Sequence, residues 1–190
     1  MTERQIEEHW SMNDEYIAGL GLGYILKDQE DLIGAEIGVN TGVTTEYWLQ
    51  NLKIQKLYAI DPWLPYDGPS AGTTHPTEPM AEGHYRETLS RIAPFKDKVE
   101  VLKMTSEEAA KIVPDDSLDF VFIDGNHSYE FVRQDMGLWW PKVKLGGIFA
   151  GHDYSHGDVN RALGEFCAEV NVFNIRNSVN DAWWFYRGMR

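Results

Sequence analysis

Several features that mark particular protein classes are scarce in this chain of 190 residues. Its single cysteine, Cys167, excludes an internal disulfide framework and any zinc site built from several thiolates. No apolar run approaches the roughly 20 residues that a membrane-spanning helix needs. The first residues, MTERQIEEHW, are polar and show no signal-peptide pattern. We therefore expect a cytoplasmic protein that has no membrane partner.

Positive charge is also scarce, because 17 Lys and Arg residues stand against 30 Asp and Glu residues, for a formal net charge of -13. A field of this sign repels phosphate backbones, so nucleic acid is not an expected partner. With 43% hydrophobic residues, a chain of this length can bury one substantial core. These values predict a single domain over residues 1–190, with a helical cap in residues 1–31.

The middle of the chain alternates between strand and helix patterns. Apolar runs predict buried strands at Ile33–Val39, Leu57–Ile60, Val99–Leu102, Leu118–Ile123 and Gly147–Ala150. Helical patterns lie between them, at about 41–53, 82–93, 105–112 and 129–140. Strands that alternate with helices predict a parallel sheet with right-handed crossovers.

The C-terminal part departs from this alternation. After a helical pattern in 159–170, the segments VNVFNI and DAWWFYR are separated by the short polar turn RNSVN. Two strands joined this tightly must pair antiparallel, because a parallel crossover needs a dozen or more residues. Bulky residues on both alternating faces of DAWWFYR predict an inner strand that is covered on both sides. The sheet should therefore be mostly parallel and end in an antiparallel β hairpin.

A long segment rich in proline and glycine, residues 62–83, follows the strand that ends at Asp61. Loops of this length in compact domains are usually functional or disordered. This one starts at the sheet edge where open α/β proteins bind ligands. We predict a substrate lid, with His75, His84 and Tyr85 as candidate substrate contacts; the alternative is a solvated insertion that contacts nothing.

The first predicted strand runs into a turn between two glycines, in AEIGVNTGVTTEYWL. Gly38 and Gly42 lead into a helix whose first backbone N–H groups are exposed at its positive end. A dinucleotide fingerprint needs glycine where Asn40 stands, and the carboxylate of Glu36 also disfavours a pyrophosphate. Glu36 suits an ammonium group instead. Taken alone, the spacing is equally compatible with two glycines that serve close packing.

Two further strand ends carry polar residues that suit a nucleoside. Asp61 ends the second strand, where a carboxylate can accept both hydroxyls of a ribose; the alternative is a turn or helix-capping aspartate. Met104, Thr105 and Ser106 follow the third strand, at the edge where an adenine ring would lie. Alternatively, Ser106 and Glu107 cap the next helix.

Together these residues resemble the class I S-adenosylmethionine-dependent methyltransferases over roughly 33–187. The Glu-x-Gly-x-x-x-Gly pattern of 36–42 is similar to their first motif, and Asp61 is similar to their ribose-binding acid. The resemblance implies S-adenosyl-L-methionine as the cofactor and an α/β fold with a Rossmann-like, doubly wound, seven-stranded sheet. It also implies that the glycine turn, including Thr41, holds the methionine part of the cofactor, and that 104–106 flank the adenine.

The segment FVFIDGNHSYEFVRQDMGLWWPKVKLGGIFAGHDY carries a more specific likeness. It resembles a bacterial group of small-molecule O-methyltransferases, including sugar and natural-product enzymes, that share IDG-x-H-x-Y followed by GG and HD. This likeness implies O-methylation of a small polar acceptor such as a sugar, a polyol or a natural product. One alternative is a cofactor-binding protein of the same fold without methyl transfer. Another is a nicotinamide-dependent oxidoreductase, which Asn40 disfavours.

Asp124 and Asp153 end neighbouring predicted parallel strands, so their carboxylates should converge, close to His152 and His127. Asp124, His152 and Asp153 form a candidate site for a divalent metal, with Asp124 also a candidate cofactor contact. Related metal-dependent O-methyltransferases use an aspartate and two acidic or amide residues here. Because magnesium prefers oxygen ligands, either His152 points away or the ion is one, such as manganese or iron, that tolerates histidine. Tyr154 is a further candidate substrate contact.

Transfer of a methyl group to a hydroxyl requires that the hydroxyl lose its proton. Catechol-type relatives have a lysine base three residues after the metal aspartate, and a sugar-modifying branch has an aspartate two residues after it. Here these positions are His127 and Asn126. We predict His127 as the catalytic base, acting beside Asp124, because the ordinary histidine pKa of ~6.5 suits neutral pH. Alternatively, His127 caps the following helix or hydrogen-bonds His152 or Asp153.

The remaining predictions concern packing and partners. Cys167 has apolar neighbours at helical spacing, so we expect it to pack in the core and not to act as a nucleophile. The expected partner is a small-molecule acceptor, and the aromatic residues in 58–66 permit a homodimer.

Overall fold

The structure is a computed structural model that describes residues 17–65, 77–178 and 180–188. The strands are β1 (Leu32–Ile37), β2 (Ile54–Ile60), β3 (Val99–Leu102), β4 (Leu118–Ile123), β5 (Val143–Gly151), β6 (Arg176–Asn177) and β7 (Trp183–Tyr186). The α-helices are α1 (Leu20–Leu26), α2 (Val43–Asn51), α3 (Glu78–Ile92), α4 (Ser106–Ala110), α5 (Tyr129–Trp139) and α6 (Gly157–Glu169). Short 3-10 helices span Ala93–Phe95 and Trp140–Lys142.

The seven strands form one sheet in the order β3-β2-β1-β4-β5-β7-β6. Strands β1 to β5 are parallel, whereas β7 pairs antiparallel with both β5 and β6. The prediction of a Rossmann-like, mostly parallel sheet that ends in an antiparallel hairpin is confirmed. Because all five parallel strands point the same way, their carboxyl ends lie at one edge of the sheet.

The first strand of the hairpin lies later in the chain than the sequence predicted. The segment VNVFNI is not a strand; β6 is Arg176–Asn177, inside the predicted turn. The chain leaves α6 through Asn171 in the left-handed region (φ 57°), and Val172 N donates to Cys167 O at 2.9 Å. The backbone after α6 therefore closes the helix end, and only Arg176 and Asn177 reach hydrogen-bonding register with β7.

The predicted lid segment is also shorter than expected at its end. Residues 78–83 belong to α3, which starts at Glu78 and not near residue 82. Thr77 precedes this helix and Pro79 stands in its first turn, where a missing N–H costs nothing. Residues 66–76 lie outside the described part of the chain, as do residues 1–16 of the predicted helical cap. From that cap, the described residues contribute α1.

Apolar side chains cover both faces of the sheet. One cluster packs α5 and α6 against it and includes Trp139, Phe149 and Trp183; the other packs α1 and α2 and includes Trp48 and Trp184. Trp183 and Trp184 are 1% and 5% exposed, which confirms that β7 is an inner strand covered on both sides.

Cys167 is buried in the cluster beside α6, in the packing environment that the sequence predicted. This burial raises the pKa of its thiol to about 12. None of the helices in the described part of the chain is long and apolar enough to cross a membrane.

Candidate functional site

The turn after β1 packs directly on the end of β4. Gly38 has a φ of 91°, and a Cβ there would overlap the carbonyl oxygen of Asp124, so only glycine fits. Asn40 is also left-handed (φ 53°), a conformation that asparagine tolerates better than most residues. Gly42, with a φ of 80°, precedes α2 and offers no side chain to cap it. The first backbone N–H groups of α2 therefore stand at the sheet edge without a capping side chain.

Glu36 lies beneath this turn and is only 1% exposed. It accepts a hydrogen bond from the Thr45 hydroxyl. Burial raises the pKa of Glu36 to about 8, and the negative charges of Asp124 and Asp61 act in the same direction. Three carboxyl groups therefore share this end of the sheet. A cationic group beside Glu36 would favour its charged form, so this cluster of acids suits a ligand with cationic groups, such as the ammonium and sulfonium of S-adenosylmethionine, and disfavours a pyrophosphate.

Asp61 at the end of β2 acts as a turn aspartate. Its Oδ2 accepts from Asn40 N at 2.9 Å, and its Oδ1 accepts from Trp63 N at 2.7 Å. Burial raises the pKa of this carboxyl. Each carboxylate oxygen can accept a second hydrogen bond, so the two ribose hydroxyls still have acceptors here. The ribose contact itself stays a prediction.

The junction after β3 differs in detail from the sequence interpretation. Thr105 caps α4 and forms a capping box with Glu108, so the capping pair Ser106 and Glu107 was wrong. The Ser106 hydroxyl donates to Asp135 of α5 and accepts from Trp139 Nε1 at 2.8 Å. Its side chain is thus engaged with α5.

Asp135 was not predicted from the sequence. It is 6% exposed, and this burial raises the pKa of its carboxyl to about 6. Met104, the first residue of the same junction, is half-buried against the core. The expected adenine contact of residues 104–106 stays a prediction.

The residues predicted as a metal site come together at the ends of β4 and β5. Oxygen and nitrogen ligand atoms from Asp124, His152 and Asp153 all lie within 4.8 Å of one another. His152 Nδ1 lies 3.1 Å from Asp153 Oδ2 and 3.7 Å from Asp124 Oδ1. Asp153 adopts the left-handed region (φ 58°), which turns the chain at the end of β5. The described residues therefore offer two carboxylates and one imidazole nitrogen to a single cation.

His152 does not point away from this group. His152 Nε2 lies 2.8 Å from Asn180 O. The backbone carbonyl oxygen of His152 accepts a hydrogen bond from Trp183 Nε1 at 3.0 Å. Burial acts to lower the pKa of His152, but Asp153 and Asp124 outweigh it and raise that pKa, so without a cation Nδ1 donates to Asp153. Once Nδ1 loses this proton, its lone pair faces the two carboxylates. A lone pair that faces two carboxylates fits a cation between them. With a nitrogen ligand present, the donor chemistry suits manganese or iron better than magnesium.

His127 completes the group from the loop after β4. Its Nε2 lies 2.9 Å from Asp153 Oδ2 and 3.7 Å from Asp124 Oδ1. The nearby carboxylates of Asp124 and Asp153 raise the pKa of His127 to about 10. Burial acts to raise the pKa of Asp153, but hydrogen bonds from His127 and His152 outweigh it and lower that pKa.

His127 does not have the ordinary histidine pKa on which its prediction as a base depended, because two carboxylates lie beside it. The alternative contact, a hydrogen bond to Asp153, is present. The catalytic role itself stays a prediction.

The predicted substrate contacts lie on different elements. His84 and Tyr85 belong to α3, and the charge of His84 acts on Asp61. Tyr154 N donates to Asp181 O at 2.9 Å, and its ring is half-buried against the core. His75 lies outside the described residues. The substrate roles of these residues stay predictions.

Two concave regions in the described part of the chain bear on the location of the site. A small cavity beside the metal group is lined by Gly125, Asn126, His127, His152 and Trp183, among others. A larger, open groove lies between α1 and the β hairpin, next to Tyr24, Ile25, Arg176, Asn177 and Trp184. Because none of the predicted site residues borders the groove, the small cavity is the one that belongs to the candidate site.

The fold defines the class of this protein: a Rossmann-like α/β protein with an acid-lined turn at the carboxyl edge of its sheet. Its particular family follows from the sequence, because a methyltransferase-domain family matches residues 35–154. This match covers more than half of the chain, so the protein belongs to that family. The prediction of an S-adenosylmethionine-dependent methyltransferase is thus confirmed at the level of family and fold.

Individual relatives are distant. An uncharacterized protein of Acanthamoeba polyphaga mimivirus is 29% identical over 131 residues, which make up 67% of this chain and 53% of that protein. The chain thus aligns with about half the length of this relative. A SAM-dependent O-methyltransferase from Thermotoga maritima shares 13% identity, with a TM-score of 0.63 over 97% of this chain and 71% of that one. A Streptococcus mutans structure in complex with SAH shares 13% identity, with a TM-score of 0.60 over 86% and 93%. Likeness at this level shows the fold.

Proposed function

We propose that the protein is an S-adenosylmethionine-dependent O-methyltransferase that acts on a small polar acceptor with the help of a divalent cation. One observation carries this proposal: Asp124, His152 and Asp153 converge within 4.8 Å at the same sheet edge as the acid-lined glycine turn. A cation-binding donor set next to a cleft for a cationic cofactor suits the transfer of a methyl group to a hydroxyl.

The cofactor, when bound, supplies the methyl group as a sulfonium. In this proposal the backbone of Gly38–Gly42 and the carboxylate of Glu36 bind its methionine part. Asp61 accepts the ribose hydroxyls through oxygens that already hold two backbone amides. Residues 104–106 and the loop at Asp124 border the adenine. The tight packing of the turn on β4 fixes these groups before the ligand arrives, which reduces the entropic cost of binding.

The cation, when bound, lowers the pKa of an acceptor hydroxyl and orients it. In this proposal Asp124, His152 and Asp153 hold the cation. A bound cation would neutralise Asp124 and Asp153, the two carboxylates that raise the pKa of His127, and the neutral imidazole would then accept the hydroxyl proton. The acceptor is a sugar, a polyol or a related natural product, because vicinal oxygens suit both the cation and the histidine.

The metal part of the proposal is tested by calorimetric titration of the protein with MnCl2 and MgCl2, with and without S-adenosylhomocysteine. We expect one Mn²⁺ per chain, weakened at least tenfold in Asp124→Asn and His152→Ala. The matched control is Asp158→Asn, since Asp158 is an exposed acid in the first turn of α6. Equal Mn²⁺ affinity in all four proteins would overturn the metal site.

The transfer part is tested by incubating the protein with S-adenosylmethionine, Mn²⁺ and a panel of sugars, polyols and phenolic natural products. We expect the cofactor product to accumulate with at least one acceptor. Asp61→Ala should lose cofactor binding, whereas His127→Ala and Asp124→Asn should lose turnover and still bind cofactor. Cofactor binding without transfer to any acceptor in the panel would instead favour a binding protein of the same fold.

A further inference from the structure

Trp63 adopts a backbone conformation that bulky residues avoid. Its φ is +44°, in the left-handed region, which costs a non-glycine residue of order 1 kcal/mol or more. Such strain persists only where surrounding contacts fix the residue. Trp63 is also 5% exposed, although it stands three residues past the end of β2, at the carboxyl edge of the sheet.

A closed ring of three hydrogen bonds explains this conformation. Trp63 N donates to Asp61 Oδ1 at 2.7 Å, and Trp63 Nε1 donates to Asn40 O at 2.7 Å. Asn40 N in turn donates to Asp61 Oδ2 at 2.9 Å. The backbone and the indole of one residue therefore connect the strand-end acid to the middle of the glycine turn. Trp63 makes both of its bonds from this left-handed backbone.

Neighbouring side chains hold the indole in place from outside the ring. Tyr85 of α3 packs on it with ring centroids 4.8 Å apart, and Lys103 Nζ lies 3.9 Å from the Tyr85 centroid. Thr88 Oγ1 lies 2.9 Å from Asn40 O and 3.0 Å from His84 O, so its one hydroxyl proton is shared between these two carbonyl oxygens. The carbonyl of Asn40 thus has two buried donors, one from the segment after β2 and one from α3.

We infer that Trp63 is a positioning residue for the cofactor: its indole N–H and its backbone hold Asn40 and Asp61 in the geometry that binds S-adenosylmethionine. This inference rests on the proposed function, because the glycine turn and Asp61 are its cofactor contacts. Without the indole N–H, Asn40 keeps only the Thr88 donor and the left-handed turn gains freedom. Loss of this N–H should therefore weaken the binding of the cofactor and leave turnover at saturating cofactor unchanged.

The test is Trp63→Phe, which removes the N–H and keeps an aromatic ring. The dissociation constant for S-adenosylhomocysteine, measured by calorimetry, should rise roughly five- to twentyfold, as expected for one lost buried hydrogen bond. In turnover assays the KM for S-adenosylmethionine should rise by a similar factor, with kcat unchanged.

The matched control is Trp48→Phe, because Trp48 Nε1 donates to Gly19 O at 3.0 Å in the other core cluster. Both variants lose one indole hydrogen bond to a carbonyl and should lose thermal stability, but Trp48→Phe should keep the wild-type cofactor affinity. If Trp63→Phe fails to fold, Thr88→Val removes the other donor to Asn40 O and should weaken binding by two- to fivefold.

The outcomes separate the two proposals. If the wild-type protein does not bind S-adenosylhomocysteine, the proposed function fails, whatever the variants do. If the wild-type protein binds S-adenosylhomocysteine and Trp63→Phe binds it equally well, the positioning role is overturned. If Trp63→Phe does not fold, equal binding by Thr88→Val has the same consequence. It is also overturned if Trp48→Phe weakens binding as much as Trp63→Phe, because the effect would then follow stability alone.

Discussion

His127 Nε2 lies 2.9 Å from Asp153 Oδ2, which joins the loop after β4 to the end of the neighbouring strand β5. Asp124 Oδ1 lies 3.7 Å from the same nitrogen. Two carboxylates therefore share one imidazole in the metal-free protein. The charge of His127 thus depends on how close Asp124 and Asp153 lie to it.

This pair predicts a pH-dependent stability of the metal-free protein. The two carboxylates raise the pKa of His127 to about 10, above the value of ~6.5 for the unfolded chain. The stabilisation is therefore complete below pH ~6.5 and is lost as the pH rises toward about 10. In chelator-treated protein, urea unfolding should show a smaller stability advantage of wild type over His127→Gln at pH 10 than at pH 6. An advantage that does not change with pH would contradict the assigned pair.

Glu36 predicts a conflict between stability and cofactor binding. Burial raises its pKa to about 8, so the wild-type protein bears an increasing cost as the pH rises from ~4.5 to about 8. Glu36→Gln keeps an acceptor for Thr45 and removes the buried charge. Its melting temperature should exceed that of wild type at pH 9 and match it within a few degrees at pH 5.

The same variant should bind S-adenosylhomocysteine more weakly, because the ammonium group of the ligand loses a counter-charge. Calorimetry at pH 8.5 provides this comparison, with the melting temperatures as the control for folding. A variant that is less stable at pH 9 and binds the ligand normally would refute both parts.

Gly38 predicts a large effect from a single methyl group. Its φ of 91° and the overlap of a Cβ with the carbonyl of Asp124 make Gly38→Ala destabilising by at least about 1–3 kcal/mol. The control, Gly164→Ala, adds a methyl group in α6 where nothing lies within 4 Å of it. That variant should gain up to about 1 kcal/mol, because alanine favours the helix. Urea denaturation of both proteins distinguishes a strained turn from a general intolerance of added methyl groups.

Cys167 predicts an inert thiol. Its pKa is raised to about 12 by burial, and the thiolate is the form that reacts. Iodoacetamide at pH 8 should alkylate the native protein far more slowly than the protein in 8 M urea, as followed by intact mass. Equal rates of alkylation in the two conditions would show that the folded protein does not shield Cys167.

Much of the sheet could be predicted because its signals are local. Apolar runs marked five of the strands, and a tight connection with bulky residues on both faces marked the inner strand of the hairpin. β6 could not be found in this way. Its two residues, Arg176 and Asn177, show no strand pattern in the sequence. They form a strand only because they pair with Trp184 and Trp183 of β7.

The site divides in the same way. That Asp61, Asp124 and Asp153 end parallel strands follows from the sequence, and parallel strands bring such ends to one edge. The engagement of Ser106 with Asp135, 29 positions along the chain, does not follow from it. The same is true of Trp63, whose only local signal is its position after an Asp-Pro pair.

The sequence by itself determined the class of fold, the strand ends that carry acids and the family likeness, because each depends on residue order and short-range pattern. The tertiary structure alone decided the charge states and the directions of the side chains. A pKa near 8 for Glu36 or near 10 for His127 requires burial and charged neighbours from other strands, and these exist only once the chain has folded.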